Sequence, residues 1–381
     1  MDKNGIFLCS EKEIPELRKY IEKIWGRDYA LVLNEKFLCW QFKPSRFKNS
    51  KKEILSVLLV YHKGKIVGMM GLIPFQLNVR GHTYSSVWLS HWVCDEKVRR
   101  LGYGFELLNK VYSLGFSFIG AMQVGKDVQN IYKTLGFQTL DDMPRWVLVI
   151  NPEKCFPLFC ECQTLIPLPE IKKFIKKYTY TEKEFIFKKN YTTVSSIDSL
   201  WDSFWKNHIS KNFIGGERDS NYLKWRYFEH PVYSYKFLGA KDKKTGSWEG
   251  LIVFRLEKVR ERNETVIRIL ELLGNTDALA FLLKEVIEFG IKQKSAFIDF
   301  YNPSQEIGKV LLKMGFPLQP LPNQGNIFFP SRFQPLEKKP YVWRSALHFR
   351  IKGKSKTIIP WKTYYVTKGD SNQDRPQFID G

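Results

Sequence analysis

The chain repeats its own pattern at an offset of about 180 residues, and this repeat limits the folds that are open to it. The segment NEKFLCWQF (34–42) is echoed by DSNYLKWRY (219–227), so that an aromatic residue, Leu, Trp and a second aromatic recur in order. Farther along, IYKTLGF (131–137) is echoed by LLKMGF (311–316), and both segments end an apolar helical pattern with Gly-Phe. The matching tryptophans are 185 positions apart and the matching glycines 179. The repeat therefore predicts two units of similar fold.

Apolar periodicity indicates the same order of elements in both units: helices, a hairpin, a long strand, a helix, a strand, a short helix and a last strand. The long strand is SSVWLSHWVC (85–94) in the first unit and TVIRILELLG (265–274) in the second. We expect RWVLVI (145–150) and WRSALHFRI (343–351) to be the last strands of their own units. The predicted class is α/β (α+β), with two mixed, mainly antiparallel twisted sheets flanked by helices.

The boundary between the units is predicted from a change in composition. Residues 151–190 mix Pro, Cys and Lys, which is typical of a linker followed by one late strand. We therefore predict a first domain over residues 1–190, including this linker, and a second domain over residues 191–381.

Composition narrows the class of protein. The 381 residues are 44% apolar, which is enough for a packed core in each unit. The N-terminus has no apolar signal core and no run of about eighteen apolar residues occurs, so we expect a soluble, cytoplasmic protein without membrane insertion. The six cysteines lack metal-ligand spacing, so we expect reduced thiols and no metal. The formal charge of +21 either attracts a polyanion or is a solvated lysine-rich surface, and composition leaves both open.

The stretch EKVRRLGYGFELLNK (96–110) places arginines and glycines directly before an amphipathic helix. Arg99, Gly102 and Gly104 form the pattern Arg-x-x-Gly-x-Gly, and apolar residues at helical spacing begin at Phe105. A glycine-rich turn that leads into a helix exposes unpaired backbone N–H groups, and the helix dipole favours negative charge there. The sequence contains neither Gly-x-Gly-x-x-Gly nor a complete P-loop. The turn is therefore a predicted binding site for a pyrophosphate.

A second pattern follows about thirty residues later, where a strand leads into NIYKTLGF, with Tyr132 one helical turn before Gly136 and Phe137. The order of strand, Arg-x-x-Gly-x-Gly turn, helix, strand and helix with Tyr-x-x-x-Gly-Phe resembles the GNAT superfamily of acyl-coenzyme A dependent N-acyltransferases. The resemblance covers roughly residues 55 to 150. Extended over the repeat, it implies two tandem GNAT-like domains.

The resemblance implies where an acyl-coenzyme A would bind. In this family the glycine-rich turn holds the pyrophosphate, and the pantetheine arm pairs with one of two splayed strands. The family often has an asparagine seven residues before the tyrosine; here that position is Gly125, and Asp127 or Asn130 is the substitute. The implied coenzyme A residues are Trp92, Val93, Cys94, Arg99, Arg100, Leu101, Gly102, Tyr103, Gly104, Phe105 and Asn130.

Acyl transfer to an amine needs a neutral amine, a donor for the oxyanion and a proton for the departing thiolate. The resemblance implies Tyr132 as the acid, and a main-chain N–H at Val93 or Cys94 as the oxyanion donor. His91 is the catalytic candidate for the amine's proton. Ser90, Asp95, Glu96 and a chain of water molecules remain alternatives.

The second unit keeps the order of elements but not the chemistry, because it has no Arg-x-x-Gly-x-Gly and Leu311 occupies the tyrosine position. Its stretch GGERDSNYLKWRYFEHP (215–231) resembles bacterial nucleotide-sugar N-acyltransferases that acylate dTDP-3-amino-3,6-dideoxyhexoses. A position near residues 34–40 and the cleft between the units are alternatives for the acceptor. The implied contacts with a dTDP-linked amino sugar are Arg218, Tyr222, Trp225, Arg226 and His230.

The leading hypothesis is therefore an enzyme that transfers an acetyl or 3-hydroxybutanoyl group from coenzyme A to a nucleotide-linked amino sugar for surface polysaccharide (O-antigen, lipopolysaccharide) synthesis. We expect a monomer or weak dimer with no nucleic-acid partner. Two alternatives remain. An aminoacyl-tRNA dependent transferase of cell-wall synthesis would use the positive charge on RNA, and a non-catalytic RNA-binding protein could stack bases on aromatic residues.

Overall fold

The computed structural model describes most of the chain. The described residues are 3–42, 54–163, 165–320, 327–338, 343–349 and 358–376. The elements up to residue 149 are β1 (Gly5–Ser10), α1 (Ile14–Trp25), α2 (Ala30–Leu33), α3 (Glu35–Phe42), β2 (Ile54–His62), β3 (Lys65–Val79), β4 (His82–Cys94), α4 (Tyr103–Ser113), β5 (Phe118–Met122), α5 (Lys126–Thr134), β6 (Gln138–Leu140) and β7 (Arg145–Val149). The later elements are α6 (Pro152–Cys162), α7 (Leu168–Tyr178), β8 (Tyr191–Val194), α8 (Leu200–Phe204), β9 (Ile214–Gly216), α9 (Ser220–Leu223), β10 (Lys236–Asp242), β11 (Trp248–Lys258), β12 (Thr265–Gly274), α10 (Thr276–Lys292), β13 (Phe297–Tyr301), α11 (Gln305–Lys313) and β14 (Ser345–Phe349).

The strands of the described residues form two sheets. The first has the order β1-β2-β3-β4-β5-β14-β6, with β9 paired to the far end of β3. The second has the order β7-β13-β12-β11-β10-β8. In both sheets four strands joined by three antiparallel pairings are followed by one parallel pairing, β4 with β5 and β12 with β13. An antiparallel pairing comes next in both, β5 with β14 and β13 with β7. The predicted class, two mixed and mainly antiparallel sheets flanked by helices, is confirmed.

The last strands are exchanged between the two sheets. Strand β7, predicted to close the first unit, pairs with β13 of the second sheet. Strand β14, predicted to close the second unit, lies between β5 and β6 of the first sheet. That prediction was wrong because β7 and β14 are both short buried strands that could join either sheet, and periodicity does not indicate which strand each one pairs with. Residues 350 and 351 of the predicted strand lie outside the described residues.

Helices cover both faces of the first sheet. Side chains alternate along a strand, so β3 sends Met69 and Ile73 to one face and Met70 and Leu72 to the other. The first pair packs with the buried side of α1 to α3, and the second pair with α4 and α5. Helix α10 contributes the corresponding apolar side to the core of the second sheet.

The two repeated tryptophans pack against each other. The rings of Trp40 and Trp225 are stacked, with 5.0 Å between centroids and 18° between planes. Trp40 Nε1 donates to the main-chain oxygen of Trp225 at 3.0 Å, and Trp225 Nε1 donates to that of Trp40 at 3.4 Å. The two hydrogen bonds are reciprocal, because each indole N–H donates to the main chain of the other tryptophan, as at a two-fold interface. The repeated segments therefore form a symmetric joint between the two halves.

No helix within the described ranges is both long enough and apolar enough to cross a lipid bilayer.

Candidate active site

A cavity opens where the parallel strands β4 and β5 separate. The two strands pair from Ser86 with Phe118 to Leu89 with Ala121, and no later pair of the two strands follows in the described residues. The separation coincides with a β-bulge, because His91 and Trp92 of β4 lie opposite the single residue Met70 of β3. The cavity has a volume of about 410 Å³. Its lining includes Trp25, Tyr29, Leu89, Ser90, His91, Trp92, Ala121, Met122, Gln123, Val124, Gly125, Val128, Tyr132, Arg332, Asn372, Gln373 and Arg375.

His91 lies on the bulge with a left-handed backbone, φ 49°. Its Nε2 is 2.9 Å from the hydroxyl of Tyr29 and 3.4 Å from Nη1 of Arg375. Because a guanidinium can only donate, Nε2 is the accepting nitrogen and the ring proton is assigned to Nδ1. Burial, and then the charge of Arg375, hold the pKa of His91 well below its ordinary value. His91 is therefore neutral.

Tyr132 lies on the wall of the same cavity, on helix α5. It is 1% exposed, and its ring centroid is 5.7 Å from that of Trp92 and 4.7 Å from that of Phe137. Burial raises its pKa far above the ordinary value, so the hydroxyl keeps its proton at neutral pH. A buried, protonated phenol beside a cavity can donate a proton.

The glycine-rich turn before α4 is open to solvent. A short 3₁₀ helix, Glu96–Leu101, ends at Gly102, which has a left-handed backbone with φ 80°. A Cβ placed on Gly102 would meet no atom within 4 Å, and one on Gly104 would lie 3.7 Å from Nε1 of Trp92. Arg99 and Arg100 are exposed beside it. The turn has the room and the charge that an anion needs.

The other residues predicted for coenzyme A divide into two groups. Trp92, Val93 and Cys94 lie on or just beyond the bulge, on the part of β4 that has left β5. Burial raises the pKa of the Cys94 thiol to about 11, so it is protonated at neutral pH. Leu101 and Phe105 are more than half exposed at the turn. Asn130 is exposed on α5 and does not line the cavity, whereas Gly125 does.

A segment from the end of the chain forms part of the cavity wall. Asn372, Gln373 and Arg375 line it, although they follow His91 by more than 280 positions. Arg218 anchors this segment through Asp370, with Nη2 to Oδ2 at 2.7 Å. No local sequence pattern predicts this contact, because it depends on the path of the chain over a long distance.

The five residues predicted to contact the acceptor interact with protein groups, and none of them lines the large cavity. Arg218 is fully buried between Glu271 and Asp370, and Arg226 donates to the main-chain oxygens of Gly369 and Asp374. The hydroxyl of Tyr222 donates to Gly369, and Trp225 stacks on Trp40. Nδ1 of His230 accepts from the main chain of Val232 and Tyr233, and burial lowers the pKa of His230 to about 3. Arg218, Tyr222 and Trp225 also line a cavity of about 10 Å³, which holds about one water.

Residues 18–137 match the sequence profile described as the acetyltransferase (GNAT) family. This stretch contains the turn, the bulge and Tyr132. No curated protein sequence matches the chain.

Solved structures share the fold at low sequence identity. A probable N-acyltransferase from Enterococcus faecalis has a TM-score of 0.56 and 10% identity, over 92% of this chain and 73% of its own. A GCN5-related N-acetyltransferase from Anabaena variabilis has a TM-score of 0.56 and 10% identity, over 91% and 72%. N-myristoyltransferase from Saccharomyces cerevisiae, solved with myristoyl-CoA, has a TM-score of 0.51 and 11% identity, over 91% and 84%.

Residues 18–137 are thus similar to a GNAT acetyltransferase domain, and the chain shares its fold with solved N-acyltransferases. The enzyme class predicted from the sequence, an acyl-CoA-dependent N-acyltransferase, is confirmed at this level.

Proposed function

We propose that the chain is a tandem pair of GNAT-like units in which the first unit transfers an acyl group from coenzyme A to an amine and the second unit completes the site. The observation that carries this proposal is the cavity between β4 and β5, which has Tyr132 on its wall. The tandem arrangement is supported by the matching strand directions of the two sheets and by the reciprocal contact of Trp40 with Trp225.

The residues around the cavity suit an acyl-coenzyme A. The first turn of α4 offers main-chain N–H groups, open space over Gly102 and the two exposed cations Arg99 and Arg100. Beyond Leu89 the edge of β4 that faced β5 is unpaired within the described residues, so its peptide groups can bind an extended amide-containing arm. Coenzyme A supplies the activated thioester, and the chain supplies binding, orientation and a proton donor.

We assign the proton donor to Tyr132 and a positioning role to His91. Tyr132 holds its proton at neutral pH and lies where the two strands separate. A protonated His91 would place a second positive charge 3.4 Å from Arg375 in a buried site, which is unfavourable. Cys94 has a raised pKa and so little thiolate, which favours direct transfer to the amine over an acyl-enzyme on that sulfur.

For the acceptor we propose a nucleotide-linked amino sugar of the dTDP-3-amino-3,6-dideoxyhexose class, with an acetyl or 3-hydroxybutanoyl donor, in O-antigen synthesis. Aromatic rings of Trp25 and Tyr29 on the cavity wall could pack against a sugar or a base. In this proposal Arg218 and Arg226 act indirectly, because they hold the terminal segment that lines the cavity.

The test is a calorimetric titration of acetyl-CoA into the wild type and two glycine variants. Gly102→Val fills the space over the turn, and we expect acetyl-CoA affinity to fall by roughly 100-fold or more. Gly115→Val is the matched control, because Gly115 ends the same helix with φ 78° and also has open space around its Cβ position. Both variants carry the same backbone strain of about 1–2 kcal/mol. If the two variants bind acetyl-CoA with equal affinity, coenzyme A does not bind at this turn.

A further inference from the structure

A second, smaller cavity adjoins the first one. Gln123, Arg332, Gln373 and Arg375 line both, so the two cavities are neighbours on either side of these residues. The second cavity has a volume of about 50 Å³. About 10–15 Å³ on this scale holds one water, so the space suits a group of three to five heavy atoms. It is too small for a sugar or a base.

Positive charge exceeds negative charge around this second cavity. Five of its lining residues are cationic and two are acidic. The two acids are already engaged: Asp374 pairs with Arg255 at 2.8 Å, and Glu257 pairs with Arg255 and with Arg268 at 3.0 and 3.1 Å. Arg268 also pairs with Asp299 at 3.0 Å, and Arg332 lies 4.0 Å from Glu337, both outside this lining. The lining itself therefore has more positive than negative groups.

Lys368 is a buried cation of this lining with weak partners. It is 8% exposed, and its Nζ lies 3.5 Å from the main-chain oxygen of Ser331 and 4.6 Å from the centroid of the Tyr301 ring. Among the described residues no carboxylate oxygen lies within 4 Å of it. Burial, and then the charge of Arg268, lower its pKa well below the ordinary value. A buried lysine in this state gains more from an anion than a solvated one does.

Two further donors on the same wall have no protein acceptor in the part of the chain that the structure describes. Ser331 is 4% exposed and Trp343 is 1% exposed, and both line the cavity. Within the described ranges neither the hydroxyl of Ser331 nor Nε1 of Trp343 has a hydrogen-bond partner. A buried donor without an acceptor costs about 1–3 kcal/mol, so such groups are rare unless a ligand or a water satisfies them.

We propose that this second cavity binds a carboxylate or phosphate group of the acceptor, so that the acceptor is an amine that also carries an acid. The proposal rests on the proposed function for the amine, whereas the anion site itself does not depend on it. A bound anion favours the protonated form of Lys368, which then supplies charge, while Ser331 and Trp343 supply hydrogen bonds. With the acid held here, the amine of the same molecule lies in the neighbouring cavity that contains Tyr132.

The first experiment measures anion binding alone. Inorganic phosphate and, separately, acetate are titrated by calorimetry into the full-length wild type, Lys368→Met and the matched control Lys362→Met, which removes an exposed lysine outside this cavity. We expect Lys368→Met to weaken the preferred anion by about 10-fold, as for loss of one charge-assisted hydrogen bond, and Lys362→Met to leave it unchanged. The preferred probe distinguishes a phosphate site from a carboxylate site.

Two controls separate this cavity from the turn before α4. Gly102→Val should keep anion binding at the second cavity, because Gly102 lies outside it. Ser331→Ala removes a donor without a charge, and it should weaken binding a few-fold even if Lys368→Met does not fold. Equal affinity in wild type and Ser331→Ala or Lys368→Met, or no binding of either anion by the wild type, would overturn the proposal.

The second experiment compares paired amines in the acyl-transfer reaction. Glucosamine 6-phosphate is tested against glucosamine, and alanine against alaninamide, with acetyl-CoA as donor. In the wild type we expect the KM of glucosamine 6-phosphate or of alanine to be about 10-fold lower than the KM of its neutral partner. In Lys368→Met we expect the two KM values of that pair to be equal. Transfer to both members with equal KM contradicts the acidic acceptor. Anion binding without acetyl-CoA binding contradicts the proposed function and leaves the anion site standing.

Discussion

The two halves of the molecule place the same backbone framework around different chemistry. In each half the strand that joins the antiparallel series to the parallel pair has a bulge, at His91 and Trp92 of β4 and at Leu270 of β12. In each half a short helix ends in Gly-Phe with a left-handed glycine, Gly136 and Gly315, at φ 78° and 88°. Both halves also have a cavity beyond the parallel strand pair, of about 410 and 370 Å³. The volume of the cavity therefore does not distinguish the two halves.

The difference lies in what the bulge and the helix present. In the first half the bulge carries His91 and the helix places Tyr132 on the wall of the cavity. In the second half Leu311 occupies the position of the tyrosine. The carboxylate of Glu271, beside the bulge, accepts hydrogen bonds from Arg218, Tyr227 and Tyr365. Strand β12 also continues into α10 through Asn275 alone, which leaves no glycine-rich turn. The two halves thus share a backbone architecture, and only the residues at the bulge, the turn and the helix indicate which half has the candidate active site.

The largest effect we expect is on stability, at the buried ion pairs of the second half. Arg218→Met leaves Glu271 and Asp370 without their cation, and the free energy of unfolding should fall by about 3–5 kcal/mol in urea denaturation. Arg262→Met is the control, since that pair with Glu264 is partly exposed and should cost about 1 kcal/mol or less. Lost acyl transfer with unchanged unfolding would make Arg218 a substrate residue instead.

The next effect is on the chemistry of the first half. Tyr132→Phe keeps the packing and removes the proton donor, so turnover should fall roughly 100-fold with little change in acetyl-CoA affinity. Tyr364→Phe is the control, because Tyr364 is also buried, at 2% exposure, and lies outside the cavity. Steady-state kinetics with calorimetry for the donor measures both quantities. Equal turnover of the two variants would remove Tyr132 as the acid.

A smaller effect concerns the histidine of the second half. His230 has a pKa of about 3 in the folded protein, below its unfolded value, so the unfolded state binds the proton first as pH falls. Its stabilising contribution is therefore complete above about pH 6.5 and is lost towards pH 3, by up to about 1.4 kcal/mol per pH unit. His230→Asn keeps an acceptor for the local main chain and cannot titrate. Urea unfolding from pH 8 to pH 4 should show a shallower decline for the variant, and parallel curves would contradict a buried, neutral His230.

The smallest effect is expected at Leu311, the counterpart of Tyr132 in the second half. Leu311→Met conserves volume in the core of the second half, so stability should change by less than about 1.5 kcal/mol and turnover should not change. Thermal unfolding and the acyl-transfer rate are the measurements. A drop in turnover without a loss of stability would mean that the second half takes part in the chemistry.

Local patterns predicted much of the first half. The helix after the glycine-rich turn begins at Tyr103, the left-handed Gly102 precedes it, and Tyr132 lies on the helix that ends in Gly-Phe. These features depend on hydrogen bonds and spacing within about ten residues, which the sequence displays directly. Arg218 and Arg226 make buried contacts with protein groups, and residue type alone does not distinguish a ligand contact from a buried ion pair.

By itself the sequence determined the fold class, the open turn at Gly102 and the position of Tyr132, since each depends on neighbours along the chain. Only the tertiary structure decided that β7 and β14 change sheets and that the segment around Arg375 closes the cavity of the other half. The physical reason is that a strand or a buried charge can pair with several partners that lie far away in the sequence. The local sequence of each possible partner suits the pairing about equally well. Their free energies depend on which partners meet after collapse, and no short stretch of residues encodes that choice.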